Sequence, residues 1–241
     1  HSERRVRRLA RKKIVFVIVE GVSDETALGI ALSHIFDKKS VYVHIMRGDI
    51  TSRNGVNASN IIAKIGNEVR KYAKSYHFSA KDFEKIIHIV DTDGVYIPEE
   101  AVIEEQICSD IHYESDGIHT ANRVETLRRN RQKTENLGKL RSTGKIWKIP
   151  YNVYYMSCNL DHVLHNKRNS TEADKEKDAY AFAKKYNNHV DDFVQFLCHS
   201  SFSVNGDYRE SWIYIENEMN SIERFTNLGI CIMEEIEKRC I

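Results

Sequence analysis

Proline is almost missing from this chain of 241 residues: only Pro98 and Pro150 occur, and glycine is held to 11 positions. So little of either leaves no room for a flexible Pro/Gly-rich linker. The length then suits one sizeable domain with at most a smaller appendage. Cysteine is scarce and odd in number. Cys108, Cys158, Cys198, Cys231 and Cys240 form no C-x-x-C pair, which argues against a disulfide framework or a zinc ribbon and for free thiols in a reducing cytoplasm. Long apolar runs are lacking too. The longest, Ile14 to Val19, cannot span a bilayer, and no secretory leader pattern is recognisable. Nor is one sign of charge in excess, since 36 Lys+Arg balance 35 Asp+Glu for a net charge of +1. That balance excludes an indiscriminate basic coat for nucleic acid and an acidic disordered tail.

The charge is balanced in sum but not along the chain. Residues 4–13 carry Arg4, Arg5, Arg7, Arg8, Arg11, Lys12 and Lys13 with no acid. Asp91 to Asp116 holds nine acids and no Lys or Arg, and Arg123 to Lys148 holds nine bases against Glu125 and Glu135. Four short runs rich in Val, Ile and Tyr read as strands: Ile14–Val19, Val41–Met46, Ile86–Val90 and Asn152–Met156. The first and third are apolar almost throughout, as strands buried on both faces are. Helical spacing marks Asp24–Phe36, where Ala27, Leu28, Ala31, Leu32, Ile35 and Phe36 share a stripe. It marks Asn57–Tyr76 as well, through Ile61, Ile62, Ile65, Val69 and Tyr72. Further helices are predicted over Ala173–Tyr186, Val190–Leu197 and from Trp212 to about Lys238. Strands alternating with helices predict an α/β fold: a central parallel sheet of about four strands flanked by helices, with a helical C-terminal extension. The expected division is 1–165, with 47–82 and 95–150 as helical or loop crossovers, and 166–241 as a helical subdomain.

Two segments bear chemistry. In Ile14-Val-Phe-Val-Ile-Val-Glu20-Gly21-Val-Ser23-Asp24, a buried strand ends in a carboxylate, a glycine turn and a helix start. Ser23 or Asp24 suits the helix cap, whereas Glu20 sits at the strand end, which in a parallel sheet opens onto the ligand crevice. In Lys85-Ile-Ile-His-Ile-Val-Asp91-Thr92-Asp93-Gly94, a second buried strand ends in two acids one residue apart. If the strand persists, Asp91 and Asp93 point the same way. Such close like charges call for a cation between them, and oxygen-only donors suit Mg²⁺ or Mn²⁺. D-x-D-G is equally good turn chemistry. On neighbouring strands, Glu20, Asp24, Asp91 and Asp93 would converge on one or two hard cations, an arrangement that activates water for attack on a phosphodiester.

A strand ending in Glu-Gly-x-Ser-Asp, followed some 70 residues later by one ending in Asp-x-Asp-Gly, resembles the Toprim domain over about residues 13–165. The resemblance implies a Toprim-like (Rossmann-like) sheet with Glu20, Asp91 and Asp93 as signature acids. Asp24 matches a further acid of the OLD-type branch. The chain is too short for a topoisomerase, has no cysteine zinc site of the recombination-mediator kind, and has no G-x-x-x-x-G-K-[ST] loop of a full OLD nuclease. What remains is similar to stand-alone Toprim nucleases of phage-defence and abortive-infection systems (the AbiL and RloB-like types). The resemblance therefore implies a cytoplasmic, Mg²⁺- or Mn²⁺-dependent endonuclease acting on DNA or RNA, in some cases with a separately encoded ATPase. It also points to Asp161, after the fourth strand, as a further metal ligand, although Asp161 suits an N-cap equally well. OLD-type relatives also place a base beside the metals, for which Lys148, Lys167 and Arg168 are candidates.

Other residues have weaker claims. Asp49 directly follows the second strand and could share its edge or simply turn the chain. Cys158, His162 and His165 cluster in sequence, yet zinc would need a fourth ligand. Arg123, Arg128, Arg129, Arg131 and Lys148 stand out in the basic stretch as phosphate contacts, with Lys133, Lys139, Arg141 and Lys145 beside them. The same stretch reads equally as a solvated helix or loop. Two other functional classes compete. One is a non-catalytic module binding nucleic acid or an ATPase, with Trp212, Tyr214 and Phe225 as the docking surface. The other is a haloacid-dehalogenase-type phosphatase, disfavoured because Asp-x-Asp-Gly falls on the third strand and precedes Val95.

Overall fold

The structure, a computed structural model, describes residues 12–108 and 110–239. Of the basic run at 4–13, only Lys12 and Lys13 fall within them. The chain opens with β1 (Ile14–Val19), α1 (Val22–Ile35), β2 (Ser40–Ile45), α2 (Ile61–Ser75) and β3 (Phe83–Asp91). Three short strands follow, β4 (Val102–Glu104), β5 (His112–Glu114) and β6 (Gly117–Thr120), and then the long helix α3 (Arg123–Arg141). After β7 (Lys145–Ile146) and β8 (Ile149–Met156) the rest is helical: α4 (Leu160–His165), α5 (Glu172–Tyr186), α6 (Val190–His199), α7 (Tyr208–Ile215) and α8 (Leu228–Glu237). Among the described residues no helix is long and apolar enough to cross a membrane.

The main sheet has the order β2-β1-β3-β8-β7. Its first four strands are parallel, and β7 pairs antiparallel at the edge. β1 lies between β2 and β3 and is buried at every residue. Its side chains alternate between two cores, as strand geometry dictates. Val15, Val17 and Val19 join α1, α5, α6 and α8 on one face, while Ile14, Phe16 and Ile18 join α2, α3 and Trp212 on the other. The six apolar positions expected on the α1 stripe are all buried. Residues 166–239 are mostly helical, and α5, α6 and α8 share the core of the sheet itself.

Two parts of the chain differ from the sequence expectation. The 95–150 crossover contains a second small sheet, ordered β4-β6-β5, with its own core of Ile97, Val102, Ile118, Leu127, Cys158 and Ile222. Gly117 makes that sheet possible. Its φ is +152°, and a Cβ there would lie 1.9 Å from the carbonyl oxygen of Ala101. Gly117→Ala is expected to cost about 3 kcal/mol, from combined steric overlap and backbone strain. Urea denaturation measures it, and a loss within experimental error would refute this packing. The second difference is the single helix expected from Trp212 to about Lys238, which breaks into α7 and α8. Between them the backbone is spent on the sheet edge instead: Ser157 N–H donates to the Phe225 carbonyl (2.8 Å) and Cys158 N–H to that of Ser221 (2.9 Å). Thr226 bridges Met156, and the Asn227 amide oxygen accepts from Tyr155 N–H at 2.8 Å.

Candidate functional site

Because β1, β2, β3 and β8 run parallel, their C-terminal ends lie together, and the segments leaving them carry Glu20, Asp49, Asp91, Asp93 and Asp161. This is the edge at which open α/β sheets bind ligands. The strand ends there are tied down from outside the sheet. The Thr92 hydroxyl donates to the Ser221 carbonyl (2.6 Å) and accepts from Cys158 N–H (2.9 Å), and Asp93 N–H donates to the Cys158 carbonyl (2.8 Å).

The acids fall into two groups. In the first, Glu20 Oε1 accepts from Asp91 N–H at 3.3 Å, and Asp91 Oδ1 accepts from Leu160 N–H at 2.9 Å. Among the described residues no ammonium or guanidinium lies within 4 Å of either carboxylate. Burial pushes both well above the ordinary carboxylate range, and the nearby charges of Asp49 on Glu20 and of Glu20 on Asp91 push them further. Asp24 borders this pair, but one oxygen is committed. As third residue of α1 it reaches back to accept from the backbone N–H of Gly21 (2.9 Å) and Glu20 (3.1 Å). It therefore closes the first turn of α1 from the N3 position behind the N-cap Gly21, which leaves only its other oxygen for a cation.

In the second group, Asp49 and Asp93 close on Lys133. The Lys133 ammonium is fully buried, 2.9 Å from Asp49 Oδ2 and 2.5 Å from Asp93 Oδ2. Burial alone would lower the Lys133 pKa, but the facing carboxylates outweigh it and hold the ammonium charged. Burial would raise Asp49, yet Lys133 and the Ser52 and Thr51 hydroxyls pull it far below the usual range. Asp93 Oδ1 also accepts from the Tyr113 hydroxyl at 3.2 Å. The expectation that Asp91 and Asp93 point the same way is corrected. β3 ends at Asp91, Asp93 takes a left-handed conformation (φ +50°), and Gly94 continues the turn at +66°. Asp tolerates that region because its short side chain can bond locally. The turn sends the two carboxylates to different partners.

Lys133 was placed by sequence among phosphate contacts; in the structure it is interior. On α3, Thr126, Leu127, Asn130, Lys133, Asn136, Leu137 and Leu140 form the buried face. Asn136 donates to the Thr51 carbonyl at 2.7 Å, fixing the 49–52 turn beside Lys133. The other basic candidates scatter. Arg129 reaches the site, with Nη2 donating to the Asp93 carbonyl (3.2 Å) and Nη1 to the Tyr113 hydroxyl (3.3 Å). Arg123 donates to the Val102 and Glu99 carbonyls, Arg131 pairs with Glu99, and Arg128 pairs with Glu125. Lys148 immediately precedes β8, so it lies at the end of the sheet opposite the acids, and its assignment beside them is corrected. Lys167 pairs with Asp178 and Arg168 with Glu223.

Asp161 is buried on the first turn of α4, and burial raises its pKa to about 6. It is not the N-cap. Asn159 holds that position, accepting from His162 N–H at 2.9 Å. His165 stacks edge-on against Phe182, and His162 is buried, its pKa lowered by burial to about 4. Cys108, Cys158, Cys198 and Cys231 are all free. Among the described residues no group of three or more His, Cys, Asp or Glu side chains is set to hold a metal ion as it stands.

Glu20 and Asp91 nonetheless offer the donors of a hard-cation site: adjacent carboxylate oxygens with no ammonium or guanidinium within 4 Å among the described residues. Asp49 and Asp93 do not, because the Lys133 ammonium already occupies the space between their carboxylates. No family model matches this chain, and no curated protein or solved structure matches it either.

Proposed function

We propose that the chain is a divalent-metal-dependent nuclease that hydrolyses phosphodiester bonds in DNA or RNA. The observation that carries the reading is one acidic edge with two kinds of charge balance: among the described residues Glu20 and Asp91 have no cationic side chain within 4 Å, while Lys133 is fixed between Asp49 and Asp93. A bound Mg²⁺ or Mn²⁺ would supply Lewis acidity and a low-pKa water. Glu20 and Asp91 would hold it, with the free oxygen of Asp24 in reserve. Lys133 is fully buried between Asp49 and Asp93, so it would serve the site by bracing the turns that carry them rather than by meeting the phosphate. Asp49 and Asp93 keep that ammonium protonated and positioned, and Tyr113 and Arg129 orient Asp93. The resemblance to stand-alone Toprim nucleases supports the same reading through the order Glu20, Asp91, Asp93.

Purified protein with Mg²⁺ or Mn²⁺, incubated with plasmid, single-stranded DNA and tRNA, tests the reading. Cleavage of at least one substrate is expected, falling by roughly 10³-fold or more in Asp91→Ala, since the ion loses half of its primary donors. Undiminished cleavage by a folded Asp91→Ala protein, or none by the parent on any substrate, would overturn it.

A further inference from the structure

Beside the acidic edge lies a cavity of about 350 Å³ between the loop after β2 and the first turns of α3. Arg53, Arg128 and Arg129 line it, together with Glu125 and the polar side chains of Ser52 and Asn54. Three guanidiniums there face a single carboxylate, a surplus of two positive charges. Arg128 holds Glu125 in a forked pair, Nη2 to Oε1 at 2.5 Å and Nε to Oε2 at 2.8 Å. Among the described residues Arg129 has no carboxylate within ion-pair distance, and Asp93 and Asp49 act on its charge only from farther off. Its guanidinium donates to neutral acceptors, the Asn130 amide oxygen, the Tyr113 hydroxyl and the Asp93 carbonyl. Arg53 likewise donates to main-chain carbonyls, those of Met46, Arg47 and Gly48. A guanidinium so placed keeps its full charge for an anion, and its planar fork suits phosphate oxygens.

The surplus selects the anion. A phosphodiester carries one negative charge, whereas a phosphomonoester carries about −1.5 to −2 at neutral pH. We infer that this cavity binds a phosphomonoester, either the terminal phosphate of a nucleic-acid strand or that of a free mononucleotide. The inference deepens the nuclease reading and rests on it for its meaning, because Arg129 joins the cavity to Asp93. A terminal phosphate held there would set the strand by its end rather than by its sequence.

The test is metal-free, so it does not depend on cleavage. Fluorescence anisotropy in EDTA compares single-stranded oligonucleotides bearing a 5′-phosphate, a 3′-phosphate or only hydroxyl ends. One phosphorylated form is expected to bind roughly tenfold tighter or more than the hydroxyl form, the worth of one charge-assisted hydrogen bond. Arg128→Gln, at an exposed position, should erase most of that ratio, and Glu125→Gln should enlarge it. Competition with adenosine monophosphate separates the two sources. Displacement at concentrations matching the strand's own affinity assigns a free nucleotide, and displacement only at large excess assigns the strand terminus. Equal binding of all three probes, or a ratio unmoved in both variants, would overturn the inference. Because Asp91→Ala should keep the ratio, a failure of the nuclease reading and a failure of this one give different results.

Discussion

Replacing Lys133 by methionine is expected to cost about 3–5 kcal/mol of stability, the range for removing one partner of a buried ion pair. Methionine matches the length of the lysine stem, so little of the loss comes from a cavity. The cost arises because Asp49 and Asp93, both largely buried, would face each other without the ammonium. The pH dependence has a definite sign. The folded pKa of Asp49 lies below its unfolded value, so the pair's contribution is complete above the unfolded pKa and is lost only as pH falls through the lower, folded one. Acid should therefore narrow the gap between parent and variant. Asp49→Asn and Asp93→Asn added to Lys133→Met should recover much of the loss. Urea denaturation at neutral and acid pH measures all of these. A Lys133→Met protein as stable as its parent would mean that the ammonium is not the hub of this edge.

The opposite sign is expected at Glu20 and Asp91. Their folded pKa values are raised, so their contribution to the metal-free protein is fully present below their unfolded values and is lost as pH rises through the folded ones. A divalent cation competes with those protons. At a hundredfold excess over its dissociation constant it stabilises by about 2.7 kcal/mol, or about 5–10 °C in Tm for a chain of this size. The increment should grow as pH rises and shrink toward acid. Glu20→Gln and Asp91→Asn should stabilise the metal-free protein, flatten its pH profile and remove most of the response to Mg²⁺. Thermal unfolding in EDTA and in Mg²⁺ across a pH series checks this. A Mg²⁺ increment of equal size in parent and both variants would exclude these carboxylates as the cation's ligands.

Much of the sheet was legible because buried parallel strands are nearly continuous apolar runs, as at Ile14–Val19, and because the α1 stripe repeats at helical spacing. The strand-end positions of Glu20 and Asp91 followed from the same pattern. Lys133 was missed for a physical reason. It lies three residues after Asn130 and four before Leu137, on one helical face with Thr126 and Leu140. A search for apolar periodicity passes over a buried face built partly from polar residues, although the spacing was present. Asp93 was misdirected because strand alternation was extended one turn too far, when Gly94 already marked the bend. The small sheet escaped because its strands have only three or four residues. The break between α7 and α8 escaped because its cause is long-range: hydrogen bonds to β8 and the Thr92 turn outweigh local helix propensity there.

The link from Ser221–Asn227 to the ends of β3 and β8 also bears on how the protein is made. A ribosome completes the strands bearing Glu20 and Asp91 well over a hundred residues before it reaches Thr226. At about 5–20 residues per second, that gap lasts several seconds or more. Until it closes, the Thr92 hydroxyl has no Ser221 carbonyl and Cys158 N–H lacks one of its acceptors, so the turn that aims Asp93 at Lys133 is unfastened. The acidic edge is thus fastened last, and a nascent or prematurely terminated chain carries the charges of the site without its geometry.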